Sequence, residues 1–314
     1  MKRGLISWDR AELPAAAFDA RLSALYQLCA DFDVPALVAY SGVCRSNDVR
    51  YISNYMPYWN RALTVVPCGE KPILLCALSP RVYPWIKSVT VHETILPSPN
   101  LSAQLVKLCA EKGWSKLGIL DQAGLPNDLH TQLGAEKLEL VDIPRGAFRP
   151  VATESELAMH RRAAALAREI LAGEVTGAAI GLTDHELTGR LERRFRRAGA
   201  EDLVVLISDG RSVPLPAAGN KLNKNSSASI ALEYNGHWVK LSRNMDNVSS
   251  LLPPSPDADV HRELLSGRYP WEGMTSHEDS RNVITSIQVM IRRGENRLYY
   301  GDTGIQGPDG WHQL

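Results

Sequence analysis

The sequence lacks a surplus of charge and any long apolar run. Lysine plus arginine and aspartate plus glutamate both number 35, so the basic excess typical of proteins that bind nucleic acid or acidic membranes is missing. No stretch reaches the roughly 18–20 apolar residues of a membrane-spanning helix. No long apolar segment follows the basic residues near the start. We therefore expect a cytoplasmic protein without nucleic-acid or membrane partners.

The cysteines are few, odd in number and without a CxxC motif. The five of them all lie in the first half of the chain, at Cys29, Cys44, Cys68, Cys76 and Cys109. Several stand inside apolar runs, which is typical of buried thiols. This pattern predicts reduced, mostly buried cysteines rather than a disulfide framework or a zinc site.

The signatures of several common enzyme classes are also absent. The chain has no HExxH, no P-loop, no GxGxxG that opens a helix and no GxSxG. His92 and His160 have no partners at metal-ligand spacing, and His185 falls in a helix-capping segment. Zincin-type proteases, P-loop nucleotide hydrolases, dinucleotide-dependent enzymes and serine hydrolases are therefore not supported.

What is present in the first half is an alternation of helix and strand patterns. Apolar residues at three- and four-residue spacing predict a helix over Phe18–Phe32, and short apolar runs predict strands. The expected strands are Ala36–Tyr40, Leu63–Pro67, Ile73–Ala77, Val89–His92, Leu117–Leu120 and Leu138–Val141, with helices at Leu101–Lys112 and Pro126–Leu133. This alternation predicts an α/β domain over residues 1–148.

The pattern changes near residue 150. Capping boxes at Thr153 to Glu156 and at Thr183 to Glu186 predict the starts of two long helices. The patterns that follow predict strands at Leu203–Ile207, Ser229–Tyr234, His237–Leu241, Val283–Ile291 and Arg297–Tyr300. Residues 149–314 are therefore expected to form an α+β domain.

Several short motifs of the second half occur in a recognisable order. They are Thr153–Leu157, Gly181–Leu187, Tyr234–Arg243, Gly273–Glu278, Ser286–Gln288 and Asp302–Thr303. In order and spacing they resemble the catalytic domain of the creatinase–prolidase–aminopeptidase P family, the pita-bread family. Asn47–Ser53 resembles part of the family's smaller N-terminal domain.

The resemblance implies a creatinase-like domain over residues 1–148 and a pita-bread domain over 149–314, shortened between residues 244 and 273. Two long helices would flank a curved antiparallel sheet. The resemblance also implies a homodimer, and the aromatic-rich stretch Tyr55–Trp59 is a natural interface or pocket wall.

The positions of the family's metal ligands are unusual in this chain. The metallopeptidase members hold two divalent ions with two Asp, one His and two Glu. Carried over by motif, these positions fall on Ser229, Lys240, Pro270, Gln288 and Gly301. None is a good ligand, and a protonated lysine has no lone pair to offer. The resemblance therefore implies a divergent member that uses no metal and no other cofactor.

Some relatives of creatinase and ectoine hydrolase type cleave C–N bonds of small zwitterions without metal. His277 matches a functional histidine of the family and is expected to act as general acid or base, oriented by Glu278. Lys240 and Arg243 are expected to bind a substrate carboxylate. His237, which falls on the hairpin, completes the expected substrate-binding set. These assignments predict a metal-independent hydrolase acting on a small amino-acid-like molecule.

Each assignment has a structural alternative. His277 fits a polar turn equally well, and Arg243 fits a structural ion pair. Strict alternation would place His237 on one strand face with Glu233. The lost ligands and the shortened middle segment also fit a non-catalytic homologue that binds a ligand or a protein partner.

Overall fold

The structure is a computed structural model that describes residues 7–42, 47–57, 60–148, 152–246, 258–264, 283–307 and 309–314. The chain divides into two compact units, Met1–Thr153 and Glu154–Leu314. The boundary lies a few residues beyond the position expected from the sequence.

The first unit is a six-stranded mixed sheet with helices. Its described α-helices are α1 (Ala16–Asp31), α2 (Asn47–Ser53), α3 (Tyr83–Val89), α4 (Leu101–Lys112) and α5 (Asn127–Ala135). Its described strands are β1 (Ala36–Ser41), β2 (Ala62–Pro67), β3 (Ile73–Cys76), β4 (Thr94–Pro97), β5 (Lys116–Leu120) and β6 (Glu139–Ile143). The order is β4-β3-β2-β1-β5-β6, antiparallel within β1–β2–β3 and parallel elsewhere. The expected α/β architecture is confirmed.

The central strands of this sheet are buried on both faces. β1 and β2 are apolar runs with almost every residue buried, as expected where helices cover both sides. Neighbouring residues of β1 point to opposite sides, so that Leu37 packs in one apolar cluster and Val38 in another. The two clusters form the core of the unit.

One element of the first unit was predicted wrongly. The expected strand Val89–His92 is absent, because α3 continues to Val89 and β4 begins only at Thr94. Pro84 stands in the first turn of α3, where proline favours a helix start. His92 is buried in the short connection, and its ring contacts the hydroxyls of Thr90 and Thr64 at 2.8 and 3.2 Å.

The second unit combines two long helices with an antiparallel sheet. The helices are α6 (Glu154–Glu174) and α7 (Asp184–Arg197). The described strands are β7 (Asp202–Ser208), β8 (Ser227–Tyr234), β9 (His237–Asn244), β10 (Ala258–Leu264), β11 (Val283–Arg293), β12 (Asn296–Gly307) and β13 (Gly310–Gln313). The order is β10-β11-β12-β9-β8-β7, and β13 pairs with β12. The predicted capping box at Thr183 is confirmed, since Thr183 and Glu186 bond each other's backbone N–H.

The second sheet has two chemically different faces. Ile230 and Leu241, directly opposite each other on β8 and β9, pack with residues of α6 and α7 in one apolar cluster. We call this side the helix-covered face. Its opposite, which carries Ser229 and Ser242, is called the polar face below. No α-helix in the described ranges is long and apolar enough to cross a membrane.

Candidate functional site

Four positions that the resemblance assigns to metal ligands come together on the polar face. Ser229 on β8 pairs with Ser242 on β9, and Ser242 pairs with Gly301 on β12. Gly301 pairs with Gln288 on β11. Lys240 shares this face with Ser242, two residues along β9. The fifth position, Pro270, lies outside the described residues, as do the expected acid–base pair His277 and Glu278.

A hydrogen-bonded chain connects two of these positions, Ser229 and Gln288, through Ser242. The Ser229 and Ser242 hydroxyls are 2.7 Å apart, and Ser242 Oγ donates to Gln288 Oε1 at 2.6 Å. Gln288 Nε2 then donates to Ser286 Oγ at 2.6 Å. To reach Ser242, the Gln288 side chain passes over Gly301, where an added Cβ would lie 2.1 Å from Gln288 Oε1. The missing side chain at Gly301 therefore makes room for this bridge.

A second bridge runs beside the first. Lys240 Nζ and Glu263 Oε2 are 2.5 Å apart, and their side chains are only 20% and 13% exposed. Lys240 is on β9 and Glu263 on β10, with β12 and β11 between them, a separation of about 14 Å in a flat sheet. The two side chains must extend toward each other across the polar face, so the ion pair spans both intervening strands.

Glu263 also contacts a histidine that the sequence reasoning missed. His261 Nε2 lies 3.3 Å from Glu263 Oε1, and the imidazole is 67% exposed. His261 pairs directly with Gln288 and thus ends the row of metal-position residues. Asp259, His261 and Glu263 alternate along the chain, and this period of two was the available strand signal.

Arg243 lies on the opposite side of the sheet from Lys240. Its Nη2 donates to Asp302 Oδ2 at 2.7 Å, and its Nη1 donates to the Gly301 carbonyl at 2.6 Å. Arg168 of α6 binds the same Asp302 carboxylate with Nη2 at 2.8 Å. These contacts describe a structural ion pair, and they do not bring Arg243 and Lys240 together around one anion.

His237 also points away from Lys240. The predicted shared face of His237 and Glu233 is wrong, because Tyr234 stands opposite His237 and Glu233 stands opposite Trp238. The two turn residues between the strands both have positive φ, as in a tight hairpin turn, and they interrupt the alternation. The buried His237 ring packs against His160 of α6, 5.1 Å between centroids.

The donors on the polar face do not fit the family's dinuclear metal site. Hard divalent ions need several carboxylates, whereas the described positions offer a hydroxyl, an ammonium, a carboxamide and a glycine. Glu263, a carboxylate that reaches this region, is paired with Lys240. Among the described residues, no three His, Cys, Asp or Glu side chains are grouped as metal ligands would be.

Comparison with known proteins supports the fold. No family model and no curated protein sequence matches the chain. Solved structures that resemble it include an Xaa-Pro dipeptidase from Bacillus anthracis, with a TM-score of 0.73, 14% identity and coverage of 94% of this chain and 97% of that one. The prolidase from Pyrococcus horikoshii gives 0.70, 14%, 93% and 97%.

A structure that is titled as a domain of a complex subunit, and not as a peptidase, is also similar over nearly its whole length. The N-terminal domain of FACT complex subunit SPT16 from Eremothecium gossypii has a TM-score of 0.65 and 14% identity, covering 98% of this chain and 97% of that one. At such identities the likeness concerns the fold alone. The chain has the pita-bread fold of the prolidases and Xaa-Pro peptidases.

Proposed function

We propose that this chain uses the pita-bread fold to bind a ligand or a protein partner and does not carry out metal-dependent hydrolysis. The observation that carries the proposal is the pair of bridges across the polar face. Gln288 reaches Ser242 over Gly301, and Lys240 reaches Glu263. Side chains at three expected metal positions, Ser229, Lys240 and Gln288, are thus already bound to their neighbours Ser242 and Glu263.

The electrostatics of the polar face support the same proposal. A divalent cation beside the Lys240 ammonium would be repelled, and it would have to compete for the Glu263 carboxylate already paired there. The hydroxyls and the carboxamide of the first bridge are neutral and hydrogen-bonded to each other. Such a surface favours neutral or zwitterionic ligands over metal ions. The likeness to a domain of a complex subunit is compatible with a binding role.

The test is a titration with Mn²⁺, Co²⁺ and Zn²⁺, followed by native mass spectrometry and an Xaa-Pro dipeptide assay. We expect no stoichiometric binding and no turnover by the natural chain. The matched variant carries Ser229→Asp, Lys240→Asp, Pro270→His, Gln288→Glu and Gly301→Glu together, and it is expected to gain metal binding if the motif assignment is right. Two divalent ions per natural chain would overturn the proposal.

A ligand is sought by thermal shift with a panel of small zwitterions, both with and without chelator. Binding at the polar face should raise the melting temperature of the natural chain, and Lys240→Met should reduce that rise. Arg243, whose contacts are on the other face, is not expected to touch the ligand. A rise that is unchanged in Lys240→Met would place the ligand elsewhere.

The second candidate function is a metal-independent hydrolase that cleaves a C–N bond in a small amino-acid-like substrate. The exposed His261 beside Glu263 favours it, because a carboxylate-paired imidazole can act as a general base near neutral pH. His277, with Glu278, remains the acid–base pair expected from the family motif. If this function is correct, His261→Asn or His277→Asn should lower turnover by about 10²–10⁴-fold. Unchanged turnover in both variants would contradict this function.

A homodimer remains part of the proposal. Of the aromatic-rich stretch expected at the interface, Tyr55 is buried within its own unit, whereas Tyr58 and Trp59 lie outside the described residues. Light scattering at micromolar concentration tests the assembly, and a monomeric mass would contradict it.

A further inference from the structure

One side of the outermost strand of the second sheet is open in the described part of the chain. β7 ends the sheet and pairs with β8, and a single bridge on its other side places Ile207 opposite Leu215. The Ile207 N–H donates to the Leu215 carbonyl at 2.7 Å, and the Leu215 N–H donates to the Ile207 carbonyl at 2.9 Å. Leu215 therefore stands, for one residue, where a further strand would lie.

The bridge shows which main-chain groups of β7 point away from the sheet. The N–H and C=O of Ile207 point away from β8, and in an antiparallel pair this direction alternates from one residue to the next. The same groups of Leu203 and Val205 therefore also point outward. The Leu203 N–H agrees with this, because it donates to the Asp202 side chain at 2.9 Å. Among the described residues, the Leu203 carbonyl and both main-chain groups of Val205 have no partner on this side.

The chain's own segment does not continue along this edge. After Leu215 it turns to the start of α7, where the N–H groups of residues 218–220 donate to the Asp184 carboxylate at 3.0, 2.7 and 3.2 Å. These bonds lead the segment away from β7. An extended segment that covers the open length from Leu203 to Val205 thus needs only a few residues, and it must end or bend before Ile207.

The side chains beside the open edge are apolar on both faces of the sheet. Leu206 lies opposite Ser229, so Leu206 and Val204 are on the polar face. Val205 packs against the apolar cluster of the helix-covered face. Val204, Val205 and Leu206 are all half-buried, so an added strand would cover apolar surface on both sides. Apolar and β-branched residues are therefore the side chains that suit such a strand.

Exposed arginines stand near both ends of β7. Arg197 ends α7 shortly before β7 begins, and Arg211 follows shortly after β7 ends. Within the described ranges neither guanidinium has an ion-pair partner. The neighbouring carboxylates are already engaged, since Asp202 pairs with Arg196 at 3.7 Å and Asp209 accepts main-chain N–H groups of its own turn at 2.8 and 2.9 Å. Acidic residues on the flanks of an added strand would complement these cations.

We propose that the open edge of β7 binds an extended segment of a partner protein by strand addition, and that this segment has an apolar centre and acidic flanks. The inference rests on the partner-binding form of the proposed function, but it uses a different surface from the bridges of the polar face. A second copy of the chain is a poorer occupant. If Leu203 of one copy bonded Val205 of another in antiparallel alignment, residue 201 would fall opposite Ile207, where Leu215 already lies.

The first experiment measures binding of a fluorescein-labelled peptide, Glu-Glu-Val-Thr-Val-Thr-Val-Glu-Glu, to the natural chain by fluorescence anisotropy. A strand joins a sheet through one of its two edges, and each edge carries the N–H groups of alternate residues. A peptide that is N-methylated at every other central residue keeps one intact edge and should still bind. A peptide that is N-methylated at every central residue keeps none, and its affinity should fall about tenfold for each hydrogen bond lost.

The second experiment changes the edge itself. Val204→Lys should abolish binding of the unmodified peptide, because a lysine beside an edge strand opposes pairing with another strand. The matched control is Val260→Lys, which changes a 43% exposed valine on β10 at the opposite end of the sheet and should bind as the natural chain does. Circular dichroism checks that both variants fold. If Val204→Lys does not fold, Arg197→Glu with Arg211→Glu replaces it, and this variant should prefer a peptide with lysine flanks.

Several outcomes would overturn the proposal. They are no saturable binding up to about 1 mM peptide, equal binding of the two N-methylated peptides, and unchanged binding by Val204→Lys. Light scattering adds another, because a dimer that is lost in Val204→Lys would show that a second copy occupies the edge. The metal titration of the polar face reports on a separate surface, so its failure and the failure of this proposal are distinguishable.

Discussion

The two faces of the second sheet treat polar groups in opposite ways. On the helix-covered face a fully buried carboxylate, Asp302, is bound by Arg168 and Arg243. On the polar face the bridges are a neutral hydrogen-bonded chain and one partly exposed ion pair. Arg243 and Asp302 directly follow Ser242 and Gly301 in the sequence. Because successive strand residues point to opposite sides, these neighbours lie on different faces of the sheet.

Each of two motifs, in the hairpin and in the last long strand, contains one residue of the buried ion cluster and one residue at an expected metal position. The Arg of the hairpin motif and the Asp of the last-strand motif match the family pattern, and both are in the buried ion cluster. Lys240 and Gly301, at the expected metal positions of the same two motifs, depart from it. A protein can therefore keep the architecture of this fold while its polar face acquires other contacts.

The largest expected loss of stability follows from removing the buried carboxylate of the helix-covered face. Asp302→Ala leaves two partly buried guanidinium groups without their carboxylate, and also removes the acceptor of Gln313 Nε2 at 2.9 Å. We expect the free energy of unfolding to fall by about 3–5 kcal/mol, measured by urea denaturation. Asp259→Ala, which breaks an ion pair with Arg292 whose side chains are 66% and 61% exposed, should change it by less than about 1 kcal/mol. Equal effects would refute the contrast.

A smaller effect tests another buried carboxylate of the helix layer. Asp184, at the start of α7, accepts backbone N–H groups of Ala218, Gly219 and Asn220 at 3.0, 2.7 and 3.2 Å. Burial alone would raise the pKa of Asp184, but these donors lower it below its ordinary value of 3.8. The stabilisation is present above that value and is lost as the pH falls through the lower folded-state pKa.

Asp184→Asn should accordingly lower the free energy of unfolding by about 1.5–3 kcal/mol at pH 7. The difference from the natural chain should shrink at pH 3, because below its ordinary pKa of 3.8 this carboxyl is protonated in the unfolded state before it is protonated in the folded state. Urea unfolding at both pH values measures this. A difference that stays constant would show that the carboxylate charge is not the cause.

The next prediction tests whether the Gln288 side chain occupies the space above Gly301 on the polar face. Gly301→Ala places a Cβ where the Gln288 side chain now lies, so Gln288 must move and lose its bond to Ser242. We expect a loss of about 1–3 kcal/mol. Gln288→Ala removes the obstacle, so Gly301→Ala should cost much less in that background. Additive losses in the double variant would mean that the two positions do not compete for space.

The smallest effect concerns the ion pair across the polar face. Lys240→Met retains the aliphatic length but removes the charge, and Glu263 keeps His261 as a partner. Both side chains are mostly buried, but Glu263 retains this second partner, so the expected loss is about 1–2 kcal/mol. A double-mutant cycle with Glu263→Gln isolates the coupling. A loss as large as that of Asp302→Ala would erase the distinction between the faces.

Local patterns in the sequence were sufficient for most elements. Leu101–Lys112 was predicted with the bounds that the structure gives to α4, and Thr183 caps α7 as its capping box indicated. β10 was missed because its polar alternation follows a proline-rich stretch and contains few apolar residues to mark a strand. These signals are local, so they identify elements well and long-range partners poorly.

The candidate site could be predicted only in part for this reason. The family motifs assigned Lys240, Gln288 and Gly301 to one site, and these residues do lie together on one face. Sequence alone could not show that Gln288 crosses Gly301 or that Glu263 meets Lys240, because these contacts depend on strand order. The hairpin turn likewise determined the side of the sheet on which His237 lies, which strict alternation misassigned.

The Gln288 side chain lying over Gly301 has a consequence for how this sequence can change. A glutamate introduced at position 301 meets an occupied site until position 288 has changed, and a glutamate at 288 alone would lose the carboxamide N–H that donates to Ser286. Each of these two single substitutions is thus opposed by the residues already in place. Change at the two positions is therefore conditional on order, because a larger side chain fits at 301 only after position 288 has been shortened.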